Sequence, residues 1–308
     1  MMRGNMMMKK MYGITTAMVT HFDEKGSIDF SAMRDHVEFL ISKGVHNLYP
    51  LGTMGESALM STEERKTVAE RAVEYAGGRA GVFIHVGALR QEDAVELARH
   101  AHSIGADGVG AISPYFYHVS QQELYDYYAA ISRSVPEDFP IYIYNLPGMT
   151  GNDVLPETVV KLAELPNIAG IKNTMESGGR ISELVHSCPE DFTVISGDDL
   201  VAFMGLSLGA KGLVSGTSNA FPELFVSMYD CVLRNDLSGA AARQRQIYRI
   251  FELLEHDLRP GYVKEILHMR GLRKTYARAP LMRQCTEKDF LRLQSGLRTI
   301  FGCDGGLS

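Results

Sequence analysis

Cysteine is sparse in this chain and never paired in sequence: Cys188, Cys231, Cys285 and Cys303 stand far apart with no C-x-x-C among them. Reduced thiols in the cytoplasm are the simplest account of that pattern. Metal-ligand spacing is missing too. His100 and His102 lie two apart, which points them to different faces of a helix, and no other His, Cys or carboxylate spacing forms a recognisable set, so no metal is expected. No apolar run approaches the length of a membrane span. Positive charge is not in excess, and the formal net charge of −6 argues against nucleic acid as the main partner. Residues 1–10 hold five methionines and three positive charges but neither a long apolar core nor a cleavage-site pattern. They read as a leader or an upstream start, not as a secretory signal.

What is present is enough apolar residue, 45% of 308, to bury a sizeable core. Strand signals fall at 12–19, 46–51, 81–86, 107–112, 140–144, 167–171, 193–195 and 212–215. Helix signals alternate with them at 30–42, 61–76 behind the cap Ser61-Thr62-Glu63-Glu64, 92–104, after Ser120, after Pro156 and at 222–234. Eight such alternations over roughly 220 residues predict a (β/α)8 TIM barrel, whose active sites lie at the carboxyl ends of the strands. A doubly wound sheet is the competing architecture, but no G-x-G-x-x-G follows the first strand. After Ser238 the strand signal disappears. Residues 239–255, 262–270 and 287–301 read as three helices, with Arg259-Pro260-Gly261 breaking the first two apart. The expected organisation is a leader over 1–10, a catalytic barrel over 11–235 and a helical extension over 236–308 packed on it, with no linker to detach it.

Two strands draw the chemistry together. Pro140-Ile141-Tyr142-Ile143-Tyr144 runs into Asn145-Leu146-Pro147, and Asn167-Ile168-Ala169-Gly170-Ile171 runs into Lys172. Side chains alternate across a strand, so Tyr142 shares a face with Tyr144 and Gly170 with Lys172. If the strands are parallel neighbours, phenol and amine emerge side by side, with Gly170 leaving room beneath the amine. A lone lysine at a strand end ordinarily carries its charge out to solvent along its own stem. Held among apolar side chains, it loses some preference for the charged form, and a neutral amine attacks a ketone to form an imine. Gly52-Thr53-Met54-Gly55 sits where a strand meets a helix, and is either an ordinary tight turn or a set of backbone N–H groups converging on an anion.

The segments Y-N-L-P-G-M-T-G, G-I-K and G-T-M-G-E, in this order and spacing, resemble the pyruvate-dependent aldolases that include dihydrodipicolinate synthase and N-acetylneuraminate lyase. The resemblance implies Lys172 as the Schiff-base lysine, Tyr144 as the proton-transfer tyrosine and Thr53 as the hydroxyl that binds carboxylate and relays protons. It implies that Gly52, Met54, Gly197 and Val214 line the pyruvate pocket and that no cofactor beyond the covalent imine is needed. The loop carrying Tyr115 and Phe116 reaches a neighbouring subunit in that family, implying a homo-oligomer built as a dimer of dimers.

Departures from the family pattern bear on the substrate. Met54 and Met149 stand where dihydrodipicolinate synthase has a second hydroxyl residue and an arginine, and Phe116 stands where it has a tyrosine. Loss of that arginine removes the bidentate partner of a second carboxylate. The sialate lyase branch has a tyrosine and an acidic pair after the seventh strand, where this chain reads Gly197-Asp198-Asp199-Leu200. The motifs look closer to aldolases that cleave 2-keto-3-deoxy sugar acids to pyruvate and an aldehyde, with Thr174, Asp199 and Ser215 facing substrate hydroxyls and one aspartate of the pair serving as an N-cap. A dehydratase or deaminase on a related keto acid is the nearest rival. A catalytically silent sugar-acid binding protein is the remote one. His46, His85 and His118, beside apolar strands, read as structural.

Overall fold

The computed structural model describes residues 9–175, 177–281 and 285–301. Most of the expected leader, and Cys303, lie outside the described residues. Eight parallel strands pair in chain order and close on themselves. They are β1 (Gly13–Thr16), β2 (Asn47–Leu48), β3 (Gly81–His85), β4 (Gly108–Ile112), β5 (Ile141–Asn145), β6 (Ile168–Asn173), β7 (Thr193–Ser196) and β8 (Gly212–Ser215). Helices α1 (Phe30–Ser42), α2 (Thr62–Ala76), α3 (Gln91–Ser103), α4 (Gln121–Ser132), the one-turn α5 (Pro147–Thr150), α6 (Pro156–Leu162), α7 (Gly178–Ser187), α8 (Ala202–Ser207) and α9 (Pro222–Leu233) connect them. The extension is α10 (Leu237–Leu253), α11 (Pro260–Met269) and α12 (Glu287–Phe301). This is the (β/α)8 TIM barrel with a three-helix extension that the sequence predicts. Among the described residues, no helix is long and apolar enough to cross a membrane.

Local chemistry fixes most helix starts. Ser61 with Glu64 and Ser120 with Glu123 each form a reciprocal capping box, and Asp29 and Asp236 accept backbone N–H groups at the heads of α1 and α10. Proline occupies the first helical position of α5, α6, α9 and α11. Arg259-Pro260-Gly261 is therefore a start and not only a break: Pro260 lacks an N–H that the first turn would leave unpaired anyway. The sequence gives little sign of α7, which opens on Gly178-Gly179, or of α8, which is six residues with Gly205 inside.

Apolar side chains pointing outward from the strands, Leu48, Val82, Ile84, Val109, Ile143 and Val194 among them, pack under the helices. The lumen is filled by rings set into glycine gaps. A Cβ on Gly110 would lie 2.8 Å from the Tyr49 ring, one on Gly108 2.9 Å from Phe83, and one on Gly170 2.7 Å from Tyr142. Gly170 thus makes room for the Tyr142 ring, not for the amine as expected. Bulky rings set against glycines of other strands fill the barrel interior.

Histidines are buried beside the barrel mouth. His21 Nδ1 lies 2.8 Å from Thr275 Oγ1, its Nε2 lies 3.0 Å from His36 Nδ1, and His36 Nε2 lies 3.3 Å from the Asn219 carbonyl. Burial holds His21 well below the usual histidine range and His36 down to about 4. Both are neutral in the fold and protonate more readily once unfolded. Their contribution is therefore complete above pH 6.5 and is lost as pH falls from there toward 4, at about 1.4 kcal/mol per pH unit for each. In urea titrations from pH 7 to pH 4.5, His36→Gln is expected to flatten the loss of stability by about one proton. An unchanged slope would contradict the burial argument.

Candidate active site

Register in the β5–β6 ladder pairs Tyr142 with Gly170 and Tyr144 with Lys172. Phenol and amine therefore leave the barrel at neighbouring positions, as the alternation argument predicts. Both side chains are buried, and the Lys172 Nζ lies 3.6 Å from the centroid of the Tyr144 ring and 5.9 Å from that of Tyr49. The amine faces the negative side of an aromatic quadrupole. Room for its stem comes from the residue just past β7: a Cβ on Gly197 would lie 2.8 Å from Lys172 Cε and would collide with the Thr174 hydroxyl.

Thr53 comes from the turn after β2. Its Oγ1 lies 3.2 Å from the Tyr144 hydroxyl. Leu51 (φ 66°) and Glu56 (φ 57°) bracket that turn in the left-handed region, which costs a non-glycine residue about 1 kcal/mol. No described residue accepts the N–H groups of Thr53 and Met54. The turn therefore presents free donors beside the amine, a ready seat for a carboxylate.

A cavity of about 660 Å³ lies over these groups, lined by Gly52, Thr53, Met54, Tyr144, Lys172, Thr174, Gly197, Asp199 and Val214. Every expected pocket residue except Ser215 reaches it. The Ser215 side chain is buried and its Oγ accepts the Ser218 N–H at 2.9 Å, so it stabilises the loop after β8 instead of facing the cavity. Asp198 takes the capping role expected of one aspartate, accepting the Leu200 N–H at 2.9 Å. Asp199 is buried; its Oδ2 accepts the Thr217 N–H at 3.0 Å while its Oδ1 and the Thr174 hydroxyl have no hydrogen-bond partner among the described residues. Burial pushes the Asp199 carboxyl up to about 6, against the pull of the Ser215 and Thr217 hydroxyls.

Several walls were not anticipated. Tyr49, buried under the amine, was signalled only by its position two residues after Asn47 on the lumen side of its strand. Phe251, His256 and Leu258 reach in from the extension, and no local pattern links them to a strand end some hundred residues away. A second cavity of about 550 Å³ shares Thr53 and Met149 with the first and contains Tyr115. Phe116 is 80% exposed in a left-handed conformation (φ 76°), its ring 4.9 Å from that of Tyr117. His85 is structural: it accepts the Ile112 N–H at 3.2 Å, and burial, reinforced by Arg65, holds it well below the usual histidine range. His46 likewise accepts the Ile14 N–H at 3.1 Å.

Relatives carry the same arrangement of chain. The model of the Dihydrodipicolinate synthetase family matches residues 10–297. The chain is 38% identical over 270 residues to a 4-hydroxy-tetrahydrodipicolinate synthase of Acidithiobacillus ferrooxidans, covering 88% of this chain and 92% of that one. It is 40% identical over 247 residues to a probable 2-dehydro-3-deoxy-D-pentonate aldolase of Escherichia coli, covering 79% and 81%. Among solved structures it superposes with a TM-score of 0.91 on YagE of Escherichia coli, described as a prophage protein of the dihydrodipicolinic acid synthase family in complex with pyruvate, at 29% identity, covering 96% and 100%. Dihydrodipicolinate synthase of Aquifex aeolicus gives 0.89 at 32% identity, covering 94% and 98%. The chain belongs to the dihydrodipicolinate synthetase family and is a lyase of the aldolase type.

Proposed function

We propose that the protein cleaves, or in reverse forms, a 2-keto-3-deoxy sugar acid through an imine on Lys172, giving pyruvate and a neutral hydroxyaldehyde. One observation carries the substrate class. Among the described lining residues of the cavity there is no arginine and no second lysine, whereas Asp198 and Asp199 both line it. A second carboxylate on the aldehyde half would meet negative charge with no cation to pair it. Hydroxyls would meet the Asp199 Oδ1 and the Thr174 hydroxyl, both without a described partner. The 4-hydroxy-tetrahydrodipicolinate synthase reading keeps support from relatives of that name but finds no guanidinium here, where Met149 holds the relevant position.

In this mechanism the turn N–H groups at Thr53 and Met54 hold the substrate carboxylate. The Lys172 amine in its neutral form adds to C2, and the carbinol oxygen leaves as water with a proton from Tyr144, leaving a protonated imine and a Tyr144 phenolate. That phenolate takes the proton from the C4 hydroxyl as the C3–C4 bond breaks. The electron pair moves into the imine to give an enamine, and the aldehyde departs. Tyr144, through Thr53, returns a proton to C3, and water releases pyruvate from Lys172. The loop carrying Tyr115 and the exposed Phe116 then packs against a second copy, in a dimer of dimers. The widely spaced cysteines support a cytoplasmic reading.

Borohydride with pyruvate is expected to add one pyruvyl group to the chain, mapped to Lys172 by mass spectrometry and absent in Lys172→Ala; an adduct elsewhere would sink the scheme. Tyr144→Phe should retain the adduct while turnover of a 2-keto-3-deoxy acid falls ~10²-fold or more. Supplying pyruvate with aspartate semialdehyde, against pyruvate with a neutral hydroxyaldehyde, decides between the two activities, and the second pair is expected to react. Asp199→Asn tests the hydroxyl contact by two opposed effects. The folded acid holds its proton up to about pH 6, whereas the unfolded one releases it near pH 4, so the native carboxylate lowers stability above that window and not below it. Asparagine should therefore raise stability by on the order of 2 kcal/mol at pH 7.5 and hardly at pH 4, while kcat/KM for the sugar acid falls ~10-fold or more. Unchanged kcat/KM would remove Asp199 from the binding site.

A further inference from the structure

Lys264 and Glu56 form an ion pair with neither side chain exposed, Nζ to Oε1 2.5 Å, between residues 208 apart in sequence. Glu56 ends the turn that presents Thr53. Its own N–H donates to the Thr53 carbonyl at 3.1 Å, and its backbone is left-handed. Its second oxygen, Oε2, accepts the Arg278 N–H at 2.7 Å, and Lys264 also donates to the Tyr276 carbonyl at 2.7 Å. The Lys264 ammonium and the Arg278 guanidinium lie 4.8 and 4.4 Å from the centroid of the Phe22 ring. Arg278 also grips Glu64, behind the turn, at 2.8 and 3.0 Å. Thr20 holds the turn from the opposite side, donating to the Gly55 carbonyl at 2.7 Å.

Stability does not account for such a pair. Two apolar side chains would fill the same volume without removing two charges from water, and buried pairs are often no better than neutral for stability. What apolar packing cannot supply is direction. A charged donor tied at once to Glu56 and to the Tyr276 carbonyl, with the Arg278 N–H on the other carboxylate oxygen, fixes the Glu56 side chain in one pose, and with it a left-handed backbone that costs free energy to hold. We infer that Lys264 is a positioning residue for the reaction: through Glu56 it sets the turn whose N–H groups and Thr53 hydroxyl receive the keto acid carboxylate.

The inference rests on the imine reading of Lys172, and the experiment separates the two. The quantity measured is the pyruvate concentration that half-saturates borohydride trapping, together with the maximal trapping rate and the melting temperature. Lys264→Met alone leaves a buried carboxylate without its partner and is expected to melt early. The double variant Lys264→Met/Glu56→Gln holds neither charge and is expected to regain most of that stability. Its half-saturating pyruvate should nevertheless stay at least five-fold above wild type, with the maximal trapping rate within three-fold. A purely structural pair predicts the opposite, half-saturation returning to within two-fold of wild type as the melting temperature recovers, and that result overturns the role. Should the double variant not accumulate, Glu56→Gln alone, in which an amide oxygen still accepts from Lys264, is expected to raise half-saturation at least three-fold, and no rise overturns the role equally. A wild-type chain that traps no pyruvate overturns the imine reading and this role with it. Normal trapping in wild type and variants alike overturns the role of Lys264 only.

Discussion

The Lys172 amine lies over the face of the Tyr144 ring because two neighbouring strands run in one register. A slip of one residue in β6 would turn Lys172 outward among the helices and bring Ile171 or Asn173 to the phenol instead. Register is therefore the constraint from which the site follows, and the lumen packing sets it. Tyr142 fits only opposite Gly170, Phe83 only beside Gly108, and Tyr49 only beside Gly110. The rings that fill the barrel also form the floor on which the amine rests. Tyr49 shows the linkage most directly: buried, edge-on to Tyr144 at 6.4 Å and 5.9 Å from the amine, it belongs to the core and to the site at once.

Costly groups gather around this end of the barrel. Asp199, the Lys264–Glu56 pair and Arg65 are all buried beside the strand carboxyl ends or the loops that leave them. Arg65 donates to the His85 and Gly87 carbonyls at 3.1 Å, and burial holds its pKa below the usual arginine value. The outward layer beneath the helices is built largely from Val, Leu, Ile and Ala. A chain of this length buries enough apolar surface to offset several such penalties. The division of labour is spatial: the layer between strands and helices supplies stability, and the rim holds groups in states that water would not favour.

How much of this was legible follows from how local each signal is. The capping boxes at Ser61 and Ser120 involve residues three apart, and the strands repeat every second residue, so the barrel could be read almost whole. Tyr144 and Lys172 were readable as a pair because β5 and β6 are consecutive, joined by one helix. Failures came where partners are distant or the local pattern is weak. Gly170 looked like space for the amine, yet Tyr142 on the neighbouring strand fills that space and Gly197, just past β7, supplies the gap instead. Ser215 sits at a strand end where a substrate contact is plausible, but its hydroxyl is engaged by Ser218 three residues later. Glycines at the head of α7 and within α8 hide helices that tertiary packing nonetheless forms. Phe251, His256 and Leu258 carry no mark of the site at all, since only the docking of the extension brings them to it.

That docking gives the extension a place in the chemistry as well as in the packing. The turn carrying Thr53 has a left-handed residue at each end, so it is not a conformation that the local sequence favours. It is clasped by Thr20 from the loop after β1 and by Lys264 from α11, segments from opposite ends of the chain. The pocket wall has the same dependence, since Phe251 closes α10's side of the cavity. A barrel folded through β8 alone would contain Lys172 and Tyr144 in register. It would lack the clasp on the turn that carries Thr53 and the cavity wall that Phe251 forms. Contacts of such long sequence separation form only after their loops are closed. The complete site is thus a property of the whole chain, while its paired amine and phenol are a property of two adjacent strands.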